Sequence, residues 1–265
     1  MIDAAFGAED DLDRHLLGID VNPLNGTAEY FQTEGDTVRT FYTHISHPIQ
    51  LAFQTNHGSF IVQRSESGPL GPTQVSQTID FTWGCGEHCL IIGELKRHGI
   101  IDRKRWTGER SPNGNRIRLG KELRAYCHKY KCFATSVFDG QHLLILVFHA
   151  QTVQQIREQD CEVTGLLFST DWPTLRYGLF RAVTYQIRRI QATTAPAVTL
   201  DGYVRRYRWR SWAPYWVDGN NEHEVHPNGY KRLFLMGAWY WADAQGNPIL
   251  YQDGQWVWDT VELGW

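Results

Sequence analysis

Apolar and polar positions alternate most regularly between Val75 and Trp83. Ile79, Phe81 and Trp83 are apolar there, while Ser76, Thr78, Asp80 and Thr82 are polar. A period of two belongs to a strand with one buried face. The next run, His88 to Lys96, carries Leu90, Ile91, Ile92 and Leu95. It is apolar on both faces, as a central strand is. Gly84-Cys85-Gly86 separates the runs and predicts an antiparallel hairpin through the glycines. Upstream, Val38, Phe41, Tyr42 and Ile45 recur at helical spacing within 34–47, and Pro48 is expected to end or kink that helix. Residues 58–66 read as a first strand.

Downstream, Leu123, Tyr126, Cys127 and Tyr130 form the buried stripe of a helix over about 119–130. Strands are expected at 133–138 and 143–148, joined by Asp139-Gly140, and again at 162–169. Over 174–190, Leu175, Leu179, Val183, Ile187 and Ile190 mark the inner face of an amphipathic helix. Arg176, Arg181, Arg188 and Arg189 are expected on its outer face. TTAPAVT, at 193–199, reads as a linker, and eight of the eleven tryptophans follow it. The segment after it predicts short aromatic strands with turns at Gly246-Asn247 and Asp253-Gly254. His223-Glu224-Val225-His226 sits in a polar stretch and reads as surface. The organisation expected is an arm over 1–33, a mixed α/β (α+β) core over 34–192, and an aromatic-rich C-terminal β extension over 193–265.

At 265 residues, 42% hydrophobic and 21% charged, the composition is that of a globular protein with a sizeable core. The acidic start, MIDAAFGAEDDLDRH, shows no signal-peptide pattern. No run approaches the roughly eighteen apolar residues that span a bilayer, so no membrane partner is expected. Five cysteines without a dense framework fit reduced thiols and an intracellular setting, nuclear or cytoplasmic. The net charge of −3 gives no overall nucleic-acid signature.

Charge changes the picture locally. From Lys96 to Lys131 twelve Lys or Arg face three acids, about +9 in a slightly acidic chain. Such a stretch is either a solvated face or a phosphate-backbone surface. Beside it, strand periodicity places Glu94 and Lys96 on one side of the sheet. If the hairpin register adds Asp80, three charged groups converge at a sheet end. Asp80 and Glu94 offer hard oxygen ligands for Mg²⁺ or Mn²⁺, and the Leu95 carbonyl lies between Glu94 and Lys96 in the chain. Lys96 is placed to orient a water attacking a phosphodiester.

Asp80, thirteen residues, then Glu94-x-Lys96 resembles the signature of the PD-(D/E)XK nuclease superfamily. GKELRAYCHKY followed by FATSVFDGQHLLILVF is similar to the fungal restriction-endonuclease-like members. One departure is Ile79 where the family has proline before the aspartate. The resemblance implies a restriction-endonuclease-like mixed central sheet flanked by helices and a Mg²⁺- or Mn²⁺-dependent nuclease, DNA favoured over RNA. It implies catalysis by Asp80, Glu94 and Lys96, with metal held by Asp80, Glu94 and Leu95. It also implies an extra acid from the first helix, for which Glu34 is the nearest candidate, against a plain helix-dipole role. Arg97, Arg103, Lys104, Arg105, Arg116, Arg118, Lys121 and Arg124 are the expected nucleic-acid contacts.

Other readings stay open. RRYRWRSW, at 205–212, is either structural or a base-stacking surface. Cys85, His88 and Cys89 with Cys127, His128, Cys132 or Cys161 suggest zinc only weakly, because the first group sits in a hairpin turn. The alternatives to a nuclease are an inactive nucleic-acid-binding module and a protein-interaction module docking through the C-terminal aromatic region.

Overall fold

The first helix, α1 (Glu34–Phe41), begins where Thr33 and Asp36 cap one another. The Asp36 N–H donates to Thr33 Oγ1 at 3.2 Å, and the Thr33 N–H to Asp36 Oδ2 at 2.9 Å. The computed structural model describes residues 33–57, 61–65, 79–169, 172–194, 198–235 and 238–249, and the arm expected over 1–33 lies almost wholly outside them. Pro48 does not end the helix. α1 runs through a π-turn (Tyr42–Ser46) into α2 (His47–His57). Proline has no N–H, so the carbonyl four residues back, that of His44, loses its helical donor. Arg176 supplies one, its Nε donating to His44 O at 2.5 Å. The π-turn then lets the His47 N–H reach Tyr42 O.

The strands are β1 (Val62–Ser65), β2 (Phe81–Cys85), β3 (His88–Leu95), β4 (Ala134–Phe138), β5 (His142–His149) and β6 (Glu162–Ser169). They form one sheet in the order β1-β2-β3-β4-β5-β6. Only β3 and β4 are parallel. A parallel step needs a crossover, and here it contains α3 (Arg103–Trp106) and α4 (Gly114–Lys129). The β2–β3 turn is made by Gly86 and Glu87, Gly86 at φ 56°, while Gly84 and Cys85 stay in the strand. After β5 comes α5 (Val153–Glu158), which the sequence pattern did not indicate, and after β6 the long α6 (Trp172–Thr194).

Helices cover both sheet faces. On one, Phe41 stacks on Phe81 with centroids 4.6 Å apart, and Phe53 stacks on Phe180 of α6 at 4.5 Å. On the other, Leu119, Leu123 and Cys127 of α4 pack against Ile92, Val137, Leu144 and Leu146. The protein is thus a mixed α/β chain with a six-stranded mixed sheet flanked by helices.

The arginines of α6 depart from the amphipathic expectation. Arg176, Arg181 and Arg189 are buried, 0%, 3% and 7% exposed. Each has an internal use: the His44 carbonyl for Arg176, the Tyr177 hydroxyl at 3.3 Å for Arg181, and the Trp212 ring at 5.7 Å for Arg189. Periodicity reports polarity and not hydrogen-bonded burial.

The chain divides into two compact units, Met1–Gln186 and Ile187–Trp265, with the boundary inside α6. The second unit has β7 (Thr199–Leu200), β8 (Tyr203–Tyr207), β9 (Pro214–Asp218) and β10 (Asn221–His223) in the order β10-β9-β8-β7. A separate pair is β11 (Lys231–Leu235) with β12 (Ala238–Ala242). Asp253-Gly254 lies outside the described residues. His226, read from its polar neighbours as surface, is 1% exposed. Its ring stacks on Tyr230 at 4.4 Å and meets the edges of Trp216 and Tyr203, and its Nε2 lies 3.2 Å from Leu200 O. Trp212 and Arg205 of RRYRWRSW are also buried, while Arg206, Arg208, Trp209 and Arg210 are exposed. Among the described residues no helix is long and apolar enough to cross a membrane.

Two substitutions check this account. Lys131 follows α4 in the left-handed region (φ 52°), and the Cys132 N–H closes the turn on Cys127 O, a site glycine favours. Lys131→Gly is expected to stabilise by about 1 kcal/mol, read as a raised urea midpoint at constant slope. Gly93→Ala would put a methyl 1.8 Å from the Phe81 ring. A loss of about 1–3 kcal/mol is expected, and an unchanged midpoint would contradict the packing.

Candidate active site

The site begins from the β2–β3 register, in which Phe81 pairs with Gly93 and Thr82 with Ile92. One step further Asp80 falls opposite Glu94, on the face away from Phe81. Asp80 Oδ2 accepts the Leu95 N–H at 2.5 Å, which ties the approach to β2 to the end of β3. Lys96 is anchored by its own N–H, which donates to Phe138 O at 2.9 Å. Its Nζ donates to Glu94 Oε2, also at 2.5 Å. Asp80, Glu94 and Lys96 therefore share one side of the sheet, at the C-terminal end of β3.

Helix α4 brings two further groups. Tyr126 OH donates to Glu122 Oε1 at 2.8 Å, and the charges of Glu94 and Asp80 act on Tyr126. Successive helical residues turn by about 100°. Glu122 and Tyr126 therefore share one flank of the Leu119-Leu123-Cys127 stripe, while Arg116, Lys121 and Arg124 lie toward the other. Sequence reasoning on this helix named Lys121 and Arg124, as phosphate contacts. The available signal was Glu122 one turn before a tyrosine of the stripe.

Electrostatics set this group apart. The Glu94 carboxyl is raised from 4.5 to about 7, chiefly by burial. Lys96 pulls the other way through its hydrogen bond and charge, and the carboxylates of Asp80 and Glu122 add to the rise. Burial also works against the Lys96 ammonium, but the hydrogen bond and charge of Glu94, with Glu122 and Asp80 behind, raise its pKa on balance. Three carboxylates thus share one ammonium. Glu94 Oε1 is buried and has no hydrogen-bond partner. All the donors are hard oxygens, the set that Mg²⁺ or Mn²⁺ takes. As the side chains stand, several of these oxygens are taken by protein donors. Among the described residues no group of three His, Cys, Asp or Glu is arranged to hold a metal ion.

The zinc candidates behave differently. Burial raises the Cys85 thiol to about 11. A hydrogen bond to Cys132, with burial, raises Cys89, and burial raises Cys127. These thiols are held protonated.

The remaining named residues are spread out. Glu34 is exposed in the first turn of α1, whose Phe41 packs on the opposite sheet face. Arg97, Arg103, Lys104 and Arg118 are exposed. Arg105 is tied to Asp102 at 2.9 Å and to Ser111 O at 2.7 Å. The loop after Lys96 is pinned by fully buried Asp139, whose Oδ2 accepts the Ile101 N–H at 2.9 Å.

Set against known proteins, the chain matches no family model, no curated protein and no solved structure. The likeness of its hairpin to a nuclease signature rests on these residues alone.

A carboxyl whose folded pKa lies above its unfolded value favours the protonated state. Its contribution is complete below pH 4.5 and is lost as pH rises through about 7. The metal-free protein is therefore expected to lose on the order of 3 kcal/mol across that window from this group. Denaturation in a chelator between pH 4 and 8 measures it, and Glu94→Gln should remove that part of the slope.

Proposed function

We propose that the chain is a metal-dependent nuclease, built on a restriction-endonuclease-like fold and acting on DNA. The observation that supports this most is the convergence of Asp80, Glu94 and Glu122 around one lysine, with an orphaned buried oxygen on Glu94. Burying the Glu94 carboxylate beside the half-buried Asp80 and Glu122 is unfavourable unless a cation joins them. Asp80, Glu94 and the Leu95 carbonyl, with Glu122 beside them, would hold Mg²⁺ or Mn²⁺. Such an ion supplies Lewis-acid polarisation of the phosphodiester and neutralises charge developing on it.

The chain's own groups do the rest. Lys96 keeps its proton, so it donates to the attacking water and holds it in line. Tyr126 fixes Glu122 by its hydroxyl. Arg97, Arg103, Lys104 and Arg118 are exposed near the site in sequence and hold backbone phosphates. Glu34 plays no part in this arrangement beyond favouring the start of α1.

Plasmid and linear DNA incubated with the full chain and Mn²⁺ or Mg²⁺ should be cut. Glu94→Gln and Lys96→Met should each slow cleavage by about 100-fold or more. Glu94→Gln should also lose metal binding by calorimetry. Cleavage that survives both substitutions would sink the site assignment. DNA binding with neither metal binding nor cleavage would leave a nucleic-acid-binding module on the same fold.

A further inference from the structure

We infer that a second site, on the opposite flank of α4 from Glu122, binds a nucleoside phosphate. There α4, β5 and β6, with Trp106, Pro112 and Gln159, line a half-open cavity of about 630 Å³. This lies within the roughly 300–1,000 Å³ of small-molecule sites. It is far larger than an inorganic phosphate needs.

Three cations, Arg116, Lys121 and Arg124, line it, and no carboxylate does. None of the three pairs with a carboxylate among the described residues. Arg124 donates to the Ile156 carbonyl, at 3.4 Å. Three like charges around one concave surface repel each other and focus a positive field into it, an arrangement that an anion relieves.

The walls specify more than charge. Arg116 lies over the Trp106 ring at 5.1 Å, and Arg124 over the Phe148 ring at 5.2 Å. Both rings line the cavity, with Leu146 and Val163 as apolar floor. A guanidinium seated on an aromatic ring keeps its edge donors for phosphate and adds a flat surface on which a base can stack. Gln159 offers a neutral amide, able to donate and accept, for the edge of a base. Phosphate on the cations and a planar base on the stacked platforms together describe a nucleotide. It can come free from solution or as the 5′ end of a strand.

The inference does not rest on the nuclease reading, because Asp80, Glu94 and Lys96 do not line this cavity. The test is calorimetry on the full chain at low salt in a chelator. The probes are ADP, pyrophosphate, adenosine and a 5′-phosphorylated tetradeoxynucleotide. ADP should bind, with pyrophosphate and adenosine each weaker by about tenfold or more. Lys121→Glu and Arg124→Gln should each weaken ADP by about tenfold, while Glu94→Gln should leave it unchanged. Lys121 is exposed, so its substitution spares the fold even if that of Arg124 does not. A tetranucleotide tighter than ADP identifies a strand end as the source, and the reverse order a free nucleotide. Three results would each overturn the site: no ADP binding up to about 1 mM, pyrophosphate binding as tightly as ADP, or ADP binding unaffected by Lys121→Glu.

Discussion

The Phe81 ring occupies the space where residue 93 would carry a side chain, and the polar site on the far side of the sheet depends on that contact. The ring stacks on Phe41, which itself lies 5.8 Å from Phe138, so the core of one face holds it in place. Only glycine at 93 admits it. The pairing of Phe81 with Gly93 in turn brings Asp80 opposite Glu94. A slip of one residue would turn every side chain of β2 to the other face. Apolar packing therefore sets the positions of charges it never touches.

Much of this was legible in the chain. The two periodicities gave the β2–β3 hairpin, α4, the β4–β5 pair, β6 and the long α6, and pleat geometry put Glu94 and Lys96 on one side, while the register that sets Asp80 opposite Glu94 came from the structure. What stayed hidden required a partner distant in sequence. Pro48 looks like a helix stop until Arg176 replaces its missing donor. Arg189 looks solvated until the Trp212 ring is placed over it. His226 looks like a surface residue until Tyr203, Trp216 and Tyr230 close around it. Glu122 sits between Lys121 and Arg124 in a stretch dominated by cations, and only the Tyr126 hydroxyl and the nearby Glu94 mark it out.

The basic stretch shows why a sum of charges is a poor map of a surface. Twelve cations lie between Lys96 and Lys131, yet the helix at their centre sorts charge by angle. One flank of α4 presents Glu122 toward the carboxylates, and the other presents Arg116, Lys121 and Arg124 to a cavity. A single helix can thus border two sites of opposite polarity because its buried stripe holds it between them.

The bond from Arg176 to the His44 carbonyl joins residues 132 positions apart. As the chain leaves the ribosome, the segment joining α1 to α2 emerges with an acceptor whose donor has not been made. Closing so long a loop carries a large entropic cost, and contacts of this span form late. The earliest of the described helices is therefore among the last to be completed, and a nascent chain stopped before α6 lacks the group that the His44 carbonyl needs.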